Sequence, residues 1–529
     1  MLKLFREENN IYKLLTLAVL TAAVFFVCKI VYAGILALPY PKELLEPSNI
    51  MLTNQLLEGR NPYALSILSG TVPGVNYDYA FLGSIIAAGI AKITGCSAIT
   101  AHFVISLFSI LSTGVIGFLT VRTQTRTTVA PCLASMMFMF CHWRFGYISA
   151  APDDLGLLFF VLTLYLAACP KVKHKPLITA IGITLCFYTK QYFVFVAAPI
   201  FIYMLFYCRK DAVKLLAWTI VINVAVGALI TVFWPLYWTK AFLFTYLGTV
   251  VGGGGALSTL IDQIEYLLVL FAAVFAVLIF VAVMAMVKLI RSSKRLRGIC
   301  VKENDAFALH VISVVIMLIP LIILGRNDGA FLSYFLQLWM PSVTVVTLIG
   351  IERIDYRGYE KIFIALYAVF AASTVYFGSH KLPLHILTEG EITNWNKALE
   401  YTRTYSGSGD IFYSRSLSYD GFSRGNGEWI CDHDGEVSEH TVDELITAGV
   451  PDEYIEYSQE LVAQNLRYRA GIAEKAESKG YSLITFETNP KQRQFNEEYC
   501  EQIGYRCIDK LELQLGNMPY EVAFYVPNT

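Results

Sequence analysis

Residues 11–38 read IYKLLTLAVLTAAVFFVCKIVYAGILAL, and the only charged side chains in this stretch are Lys13 and Lys29. A helix needs about 20 apolar residues to cross a hydrocarbon core about 30 Å thick, and this stretch is longer than that. It is too long for a removable signal peptide, and no small-residue cleavage site follows it. The stretch therefore predicts a membrane-spanning helix.

The same pattern recurs along the first 378 residues. Hydrophobic residues make up 56% of the 529-residue chain and charged residues 16%, against about 25% charged in soluble proteins. This balance excludes a soluble globular protein, a disordered chain and a nucleic-acid-binding protein. The predicted spans are 11–38, 99–120, 128–147, 154–169, 176–190, 192–208, 213–234, 263–290, 306–324, 331–350 and 360–378.

A twelfth apolar stretch, 79–95, is short and rich in glycine and alanine. Lysine and arginine concentrate in cytoplasmic loops, and the basic clusters of this chain fall on one side only if 79–95 does not cross. The sequence thus predicts a polytopic α-helical membrane protein with about eleven transmembrane helices and interfacial helices in the first outer loop. Its N-terminus is then cytoplasmic, and the long outer loops are 39–98 and 235–262.

Charge divides the chain into two predicted domains. Residues 1–378 carry 28 Lys/Arg and 17 Asp/Glu, whereas residues 379–529 carry 13 Lys/Arg and 25 Asp/Glu. Helix-like and strand-like stretches alternate in the acidic part. We therefore expect a basic transmembrane domain, 1–378, and a small extracytoplasmic α/β domain, 379–529.

Ionisable groups at membrane depth are expensive, so each one needs a reason. In the first outer loop, Glu46 starts an amphipathic stretch that ends at Glu58, Arg60 and Tyr63, and Asp78 precedes the apolar stretch 79–95. Simpler interpretations exist for each: Glu46 as a solvated loop carboxylate, Glu58 and Arg60 as a mutual ion pair, and Asp78 as a helix N-cap.

Further polar groups stand at predicted outer ends of other spans. Asp153 and Asp154 open the fourth crossing, where Asp154 alone would also serve as an N-cap. Lys190, followed by Gln191, lies between two apolar segments and either extends to the membrane surface or binds a phosphate.

The last such group is Gly325-Arg326-Asn327-Asp328-Gly329, the outer turn before Tyr334. Arg326 is a second anion-binding candidate, with a plain polar turn as the alternative. Taken together, the cations suit a lipid phosphate, and the carboxylates suit a general base or a metal clamp. Asp153 and Asp154 allow Mg²⁺ or Mn²⁺ but do not require it.

The order and placement of these motifs resemble membrane glycosyltransferases of the C fold. That superfamily includes protein O-mannosyltransferases, the bacterial aminoarabinose transferase and oligosaccharyltransferase catalytic subunits. The resemblance covers about residues 1–350. The similar pieces are Glu46 after the first span, Leu57–Tyr63, Tyr77-Asp78-Tyr79 in place of a Tyr-x-Pro-Pro segment, Pro152–Leu155 as the second acidic motif, Thr189–Tyr192 as a Thr-Lys-x motif, and Gly325–Tyr334.

The resemblance implies a polyprenyl-phosphate sugar donor, an outward-facing site in a bacterial plasma membrane, and inversion at the sugar carbon. An acidic residue would act as base, and Glu46 matches it by position. Many members have aspartate there, whereas Glu46 is a lone glutamate before Pro47, so Asp78 competes for the role. The sequence identifies neither the sugar nor the acceptor, and we expect the acceptor to be a lipid, a glycan or a protein.

The other site residues take their expected roles from the same resemblance. Asp153 or Asp154 would position the acceptor, the sugar or a divalent ion, with Asp154 as the third catalytic candidate. The expected substrate-binding residues are Glu58, Arg60, Tyr63, Asp153, Lys190, Gln191, Arg326, Asn327 and Tyr334.

Three other classes of protein compete with this interpretation. A transporter or lipid flippase often has paired repeats and polar residues near the middle of the membrane, and neither is evident here. A polysaccharide polymerase or ligase with a lipid-pyrophosphate donor would share the topology and the cations. A non-catalytic scaffold would tolerate replacement of Glu46, Asp78, Asp154 and Lys190.

Overall fold

The structure is a computed structural model of the chain. It describes residues 10–38, 40–41, 46–64, 80–142, 148, 150–238, 257–270, 272, 275–277, 279–280, 304–324, 331–353, 360–380, 385–422, 427–428, 439–447, 449–488, 495–515 and 518–528.

The described part of residues 10–380 is mostly helical. Its elements are α1 (Asn10–Ala37), α2 (Glu46–Leu57), α3 (Leu82–Thr94), α4 (Ala98–Arg122), α5 (Val129–Phe140), α6 (Asp153–Ala168), α7 (Lys175–Thr189), a 3₁₀ helix (Gln191–Val196), α8 (Ala197–Tyr207), α9 (Arg209–Phe233), α10 (Leu257–Leu270), α11 (Ala306–Ile316), α12 (Leu318–Leu324), α13 (Phe331–Tyr334), a π-helical turn (Phe335–Trp339), α14 (Met340–Arg353) and α15 (Glu360–His380).

Five helical segments in the described ranges are long and apolar enough to cross a membrane. They are Asn10–Leu36, Ala98–Arg122, Arg209–Phe233, Ala306–Ile323 and Phe335–Glu352. A helix also occupies each of the other predicted spans, but these helices are shorter or only partly described. The membrane-protein class is therefore supported, whereas the count of about eleven crossings is not confirmed.

Helix α3 lies in the apolar stretch 79–95, which the charge pattern predicts not to cross the membrane. It has 13 residues and is therefore about 20 Å long, short of the roughly 30 Å hydrocarbon core. The orientation of the helices relative to the membrane remains a prediction.

Helices α4 and α5 pack closely because glycines face the contact. A Cβ at Gly114 would lie 2.8 Å from Met139 Cγ, and one at Gly117 would lie 2.6 Å from the Phe138 ring. Small residues let helix backbones approach in this way in membranes. Apolar residues elsewhere face outward, as on α9, where Val232 is 77% exposed.

The C-terminal part contains a five-stranded sheet, in the region where a small α/β domain was predicted. Its strand order is β2-β1-β3-β5-β4, with β1 parallel to β2 and β3, and β5 antiparallel to β3 and β4. The elements are α16 (Glu389–Ser406), β1 (Asp410–Phe412), α17 (Ser418–Phe422), β2 (Gly427–Glu428), α18 (Glu439–Thr447), α19 (Asp452–Glu477), β3 (Tyr481–Glu487), α20 (Glu497–Gln502), β4 (Tyr505–Leu515) and β5 (Met518–Pro527).

The sheet region contacts the first loop of the helical region. The Tyr40 ring stacks on Trp395 with ring centroids 5.2 Å apart, and its hydroxyl donates to Asn396 Oδ1 over 2.7 Å. Ser418, at the start of α17, lies 3.5 Å from the sulfur of Met51 in α2. Helix α2 is thus held between the other helices and the sheet region.

Candidate active site

Asp153 and Asp154 form the first turn of α6, where the positive end of the helix dipole favours carboxylates. Their side chains do not cap the helix. The N-cap residue is Pro152, which makes no side-chain cap. Both aspartates are buried, at 2% and 4% exposure, and both are held by residues of other elements.

Asp153 is held by three donors. Lys190 Nζ lies 2.7 Å from Oδ2, and Gln337 Nε2 donates to Oδ1 over 3.2 Å. The Tyr192 hydroxyl lies 2.9 Å from Oδ1 and 2.5 Å from Gln337 Oε1, and shares its one proton between these two acceptors. Lys190 is only 5% exposed, so it does not extend to solvent. The aspartate and the lysine that the sequence singled out therefore meet as a buried ion pair.

Asp154 has a different set of partners. His142 Nδ1 lies 2.9 Å from Oδ1, and the Ser106 hydroxyl donates to Oδ2. His142 and Ser106 were not predicted as site residues. A histidine just after the apolar helix α5 was the one available signal for His142, whereas Ser106 looks like any small residue of an apolar helix.

Glu46 is the first residue of α2 and is fully buried. Its Oε1 accepts a hydrogen bond of 2.7 Å from the backbone N–H of Ala150. Ala150 precedes Asp153 by three residues, so the glutamate is tied to the segment that leads into the two aspartates.

A small cavity lies beside Asp154 and is lined by Asn49, Ser84, His102 and Ser106, among others. Its volume is about 10 Å³, close to the space that one water molecule needs. The side-chain nitrogens Asn49 Nδ2 and His142 Nε2 are buried without a partner in the described part of the chain. Buried polar atoms of this kind call for a ligand or water.

We name these residues the aspartate cluster: Glu46, Asn49, Ser106, His142, Asp153, Asp154, Lys190, Tyr192 and Gln337. Helix α6 approaches the 3₁₀ helix closely because Gly156 has no side chain. A Cβ there would overlap the Phe193 ring. Phe193 lies three residues after Lys190, so this contact fixes where the lysine enters the cluster.

The remaining predicted site residues differ in their surroundings. Glu58 and Arg60 form an exposed ion pair of 2.9 Å on either side of Gly59, whose φ is +71°. Tyr63 is buried against Trp234 and Tyr237. Gln191 begins the 3₁₀ helix, and the Tyr334 ring lies 4.9 Å from the Tyr192 ring. Asp78, Arg326 and Asn327 lie outside the described residues.

The two aspartates were also the predicted ligands of a divalent ion. Within the described ranges, no three His, Cys, Asp or Glu side chains group as metal ligands. The ammonium of Lys190 already balances the charge of Asp153, and Asp154 points to Ser106 and His142. The residues described do not fit a resident metal ion.

The arrangement of helices is the C fold of membrane glycosyltransferases, which confirms the predicted resemblance at the level of the fold. One similar structure is ArnT from Cupriavidus metallidurans bound to undecaprenyl phosphate. It shares 9% identity and a TM-score of 0.53, over 96% of this chain and 97% of ArnT. The apo form of ArnT shares 10% identity and a TM-score of 0.54, over 95% and 97% of the two chains.

The arabinofuranosyltransferase AftD from Mycobacteria is also similar. It shares 12% identity and a TM-score of 0.51, and the match covers 97% of this chain and 40% of AftD. No known family model and no curated protein sequence matches the chain. At such identities the similarity establishes the fold.

Proposed function

We propose that the chain is a membrane glycosyltransferase that moves a sugar from a polyprenyl-phosphate carrier to a hydroxyl group of an envelope acceptor, with inversion. The fold is shared with a protein that binds undecaprenyl phosphate, which supports a lipid-phosphate donor. The observation that carries the proposal is the buried Lys190–Asp153 pair beside Asp154 and Glu46.

Lys190 is the proposed ligand of the donor phosphate. Its ammonium now pairs with Asp153, which also accepts hydrogen bonds from Tyr192 and Gln337. When the phosphate binds, the Lys190 ammonium can pair with the phosphate in place of Asp153. Tyr192 and Gln337 then remain as hydrogen-bond partners of Asp153. A cation in such a buried site stabilises the negative charge that the leaving phosphate gains.

In the transfer step the acceptor oxygen attacks the anomeric carbon of the sugar. The bond from that carbon to the phosphate oxygen breaks, its electrons leave with the polyprenyl phosphate, and a carboxylate takes the acceptor proton. We assign that role to Glu46, with Asp78 as the competing base. Asp154 has both oxygens bound to Ser106 and His142, which suits a group that orients the acceptor or the sugar.

The test is release of polyprenyl phosphate from radiolabelled polyprenyl-phosphate sugars by the purified protein, with and without a crude envelope acceptor. We expect acceptor-dependent release that is lost in Glu46→Gln or Asp78→Asn and weakened at the binding step in Lys190→Ala. Specific donor binding without release would favour a flippase or a pyrophosphate-donor enzyme. Unchanged release in all three variants would refute the site.

A further inference from the structure

A second cavity lies at the opposite end of α4 and α6 from the aspartate cluster. Its volume is about 440 Å³, and its walls come from the ends of α4 and α6 and the start of α11. Helix α6 has 16 residues, so its ends lie about 24 Å apart. The cavity is separate from the proposed catalytic site, and its size is typical of ligand pockets, about 300–1,000 Å³.

His310 lines this cavity and is 2% exposed. Its Nδ1 lies 3.0 Å from Ser342 Oγ, and the Ser342 hydroxyl donates to Ser313 Oγ over 2.9 Å. Because the Ser342 proton points to Ser313, the Ser342 oxygen accepts from Nδ1–H, and Nε2 is left as the acceptor of a neutral imidazole. Nε2 is buried and has no partner among the described residues.

Other groups in the cavity wall also present acceptors. The Thr120 hydroxyl donates to the Ile116 carbonyl over 2.8 Å, and the Thr123 hydroxyl donates to the Thr120 carbonyl over 3.5 Å. Their protons are therefore used within α4, and their oxygens can still accept. The Asp305 carboxylate adds acceptor oxygens at the start of α11. Gln124, Tyr165 and Asn304 also line the cavity and carry donor groups. An occupant that supplies O–H donors would satisfy His310 Nε2 and the threonine oxygens.

Three lysines are close in sequence to lining residues of the cavity, whose wall also carries the Asp305 carboxylate. Lys175 is buried and donates to Asn304, which lines the cavity. Lys171 and Lys173 are exposed and follow Pro170, another lining residue. These lysines disfavour an ammonium group as the occupant and attract a phosphate to the rim.

We propose that this cavity binds a polyol phosphate, with the hydroxyl groups against His310 and the threonines and the phosphate at the lysine rim. The same chemistry occurs in the headgroup of phosphatidylglycerol and in free glycerol phosphate. The inference does not depend on the proposed transferase activity.

Cys169 provides a native reporter because it lines the cavity and carries a free thiol. The full chain is placed in nanodiscs that contain phosphatidylglycerol or phosphatidylmethanol, which have the same charge but differ in the hydroxyl groups. Alkylation of Cys169 by iodoacetamide is followed by peptide mass spectrometry. We expect phosphatidylglycerol to slow alkylation by about fivefold relative to phosphatidylmethanol, the effect of one net hydrogen bond.

His310→Phe should abolish this difference, and His310→Gln, which keeps an acceptor, should retain part of it. Protection in detergent by glycerol phosphate but not by inorganic phosphate, without a lipid effect, would identify the free compound as the ligand. Equal alkylation in both lipids and with both soluble compounds would overturn the proposal. Native mass spectrometry of bound lipid checks the lipid result independently, and equal retention of both lipids would exclude phosphatidylglycerol as the ligand.

Discussion

The aspartate cluster and the His310 cavity lie at opposite ends of the same two helices, α4 and α6, yet they differ in almost every physical respect. In the cluster, buried charges meet close partners, as in the 2.7 Å pair of Lys190 and Asp153, and the neighbouring cavity is about 10 Å³. The His310 cavity is about 440 Å³ and is lined largely by neutral groups.

The difference indicates two modes of binding. A ligand that enters the His310 cavity meets a buried imidazole nitrogen, His310 Nε2, that has no partner among the described residues. A phosphate that enters the aspartate cluster must instead replace Asp153 as the partner of Lys190. Under the proposed function, the Lys190–Asp153 pair is an anion site whose cation is already paired in the absence of donor. We therefore expect substitutions there to have the largest effects.

The largest effect should follow Glu46→Gln. The amide oxygen of glutamine can still accept the Ala150 N–H, so the fold is retained, but no base remains to take the acceptor proton. We expect turnover to fall by about 10²–10⁴-fold, the usual contribution of a general base, with donor binding nearly unchanged. Polyprenyl phosphate release and donor titration measure the two quantities.

The matched control is Glu400→Gln, an exposed glutamate on α16, which should leave turnover unchanged. If Glu46→Gln is equally active and Asp78→Asn is inactive, Asp78 is the base and the assignment of Glu46 is wrong.

Lys190→Ala should have the next largest effect, because it leaves the Asp153 carboxylate buried without its counter-charge. Breaking a buried pair from one side destabilises by about 3–5 kcal/mol. We expect this loss in unfolding experiments in detergent, together with weaker donor binding. Lys214→Ala, at an exposed lysine, is the control for a change of charge.

The double variant Lys190→Ala/Asp153→Asn separates stability from binding. Removing both charges should recover most of the stability but not the donor affinity, since the phosphate then still lacks its cation. Recovery of both would show that Lys190 serves the fold and not the donor.

Gly156→Ala should destabilise the protein by a smaller amount, through the packing that positions Lys190. The new methyl group would overlap the Phe193 ring, and overpacking of this kind destabilises by about 1–3 kcal/mol. Gly89→Ala is the control, because a Cβ there meets nothing within 4 Å. The Gly156→Ala variant should therefore melt at a lower temperature than the Gly89→Ala variant. Equal melting temperatures would contradict the close packing of α6 on the 3₁₀ helix.

Much of this arrangement could be predicted from the sequence. Apolar length predicted most of the helices, and the alternation of helix-like and strand-like stretches predicted the mixed helix and sheet structure of the C-terminal part. Asp153, Asp154 and Lys190 were predicted as site residues because an ionisable side chain at membrane depth is energetically costly and usually functional. The pairing of Asp153 with Lys190 was not predicted, since it depends on how α6 packs against the 3₁₀ helix.

The neutral members of the cluster could not be predicted in the same way. Asn49, Ser106 and His142 occur singly in or beside helices, where one polar residue carries no sign of its partner. His310 is similar, because its importance comes from Ser342, 32 residues away. The predicted count of about eleven crossings is not confirmed, because short apolar helices such as α5 do not reveal by composition whether they span a membrane.

The smallest effect should follow removal of divalent ions. Lys190 already balances Asp153, and Asp154 is bound by Ser106 and His142, so the cluster has the charge compensation that a metal ion would otherwise supply. We expect EDTA to change polyprenyl phosphate release by less than about twofold, well below the effect of losing a catalytic group. A loss of activity that Mg²⁺ or Mn²⁺ restores would show that the two aspartates exchange their present partners for a metal ion during turnover. The aspartate cluster would then resemble the His310 cavity in accepting a ligand, at groups whose present partners are exchangeable.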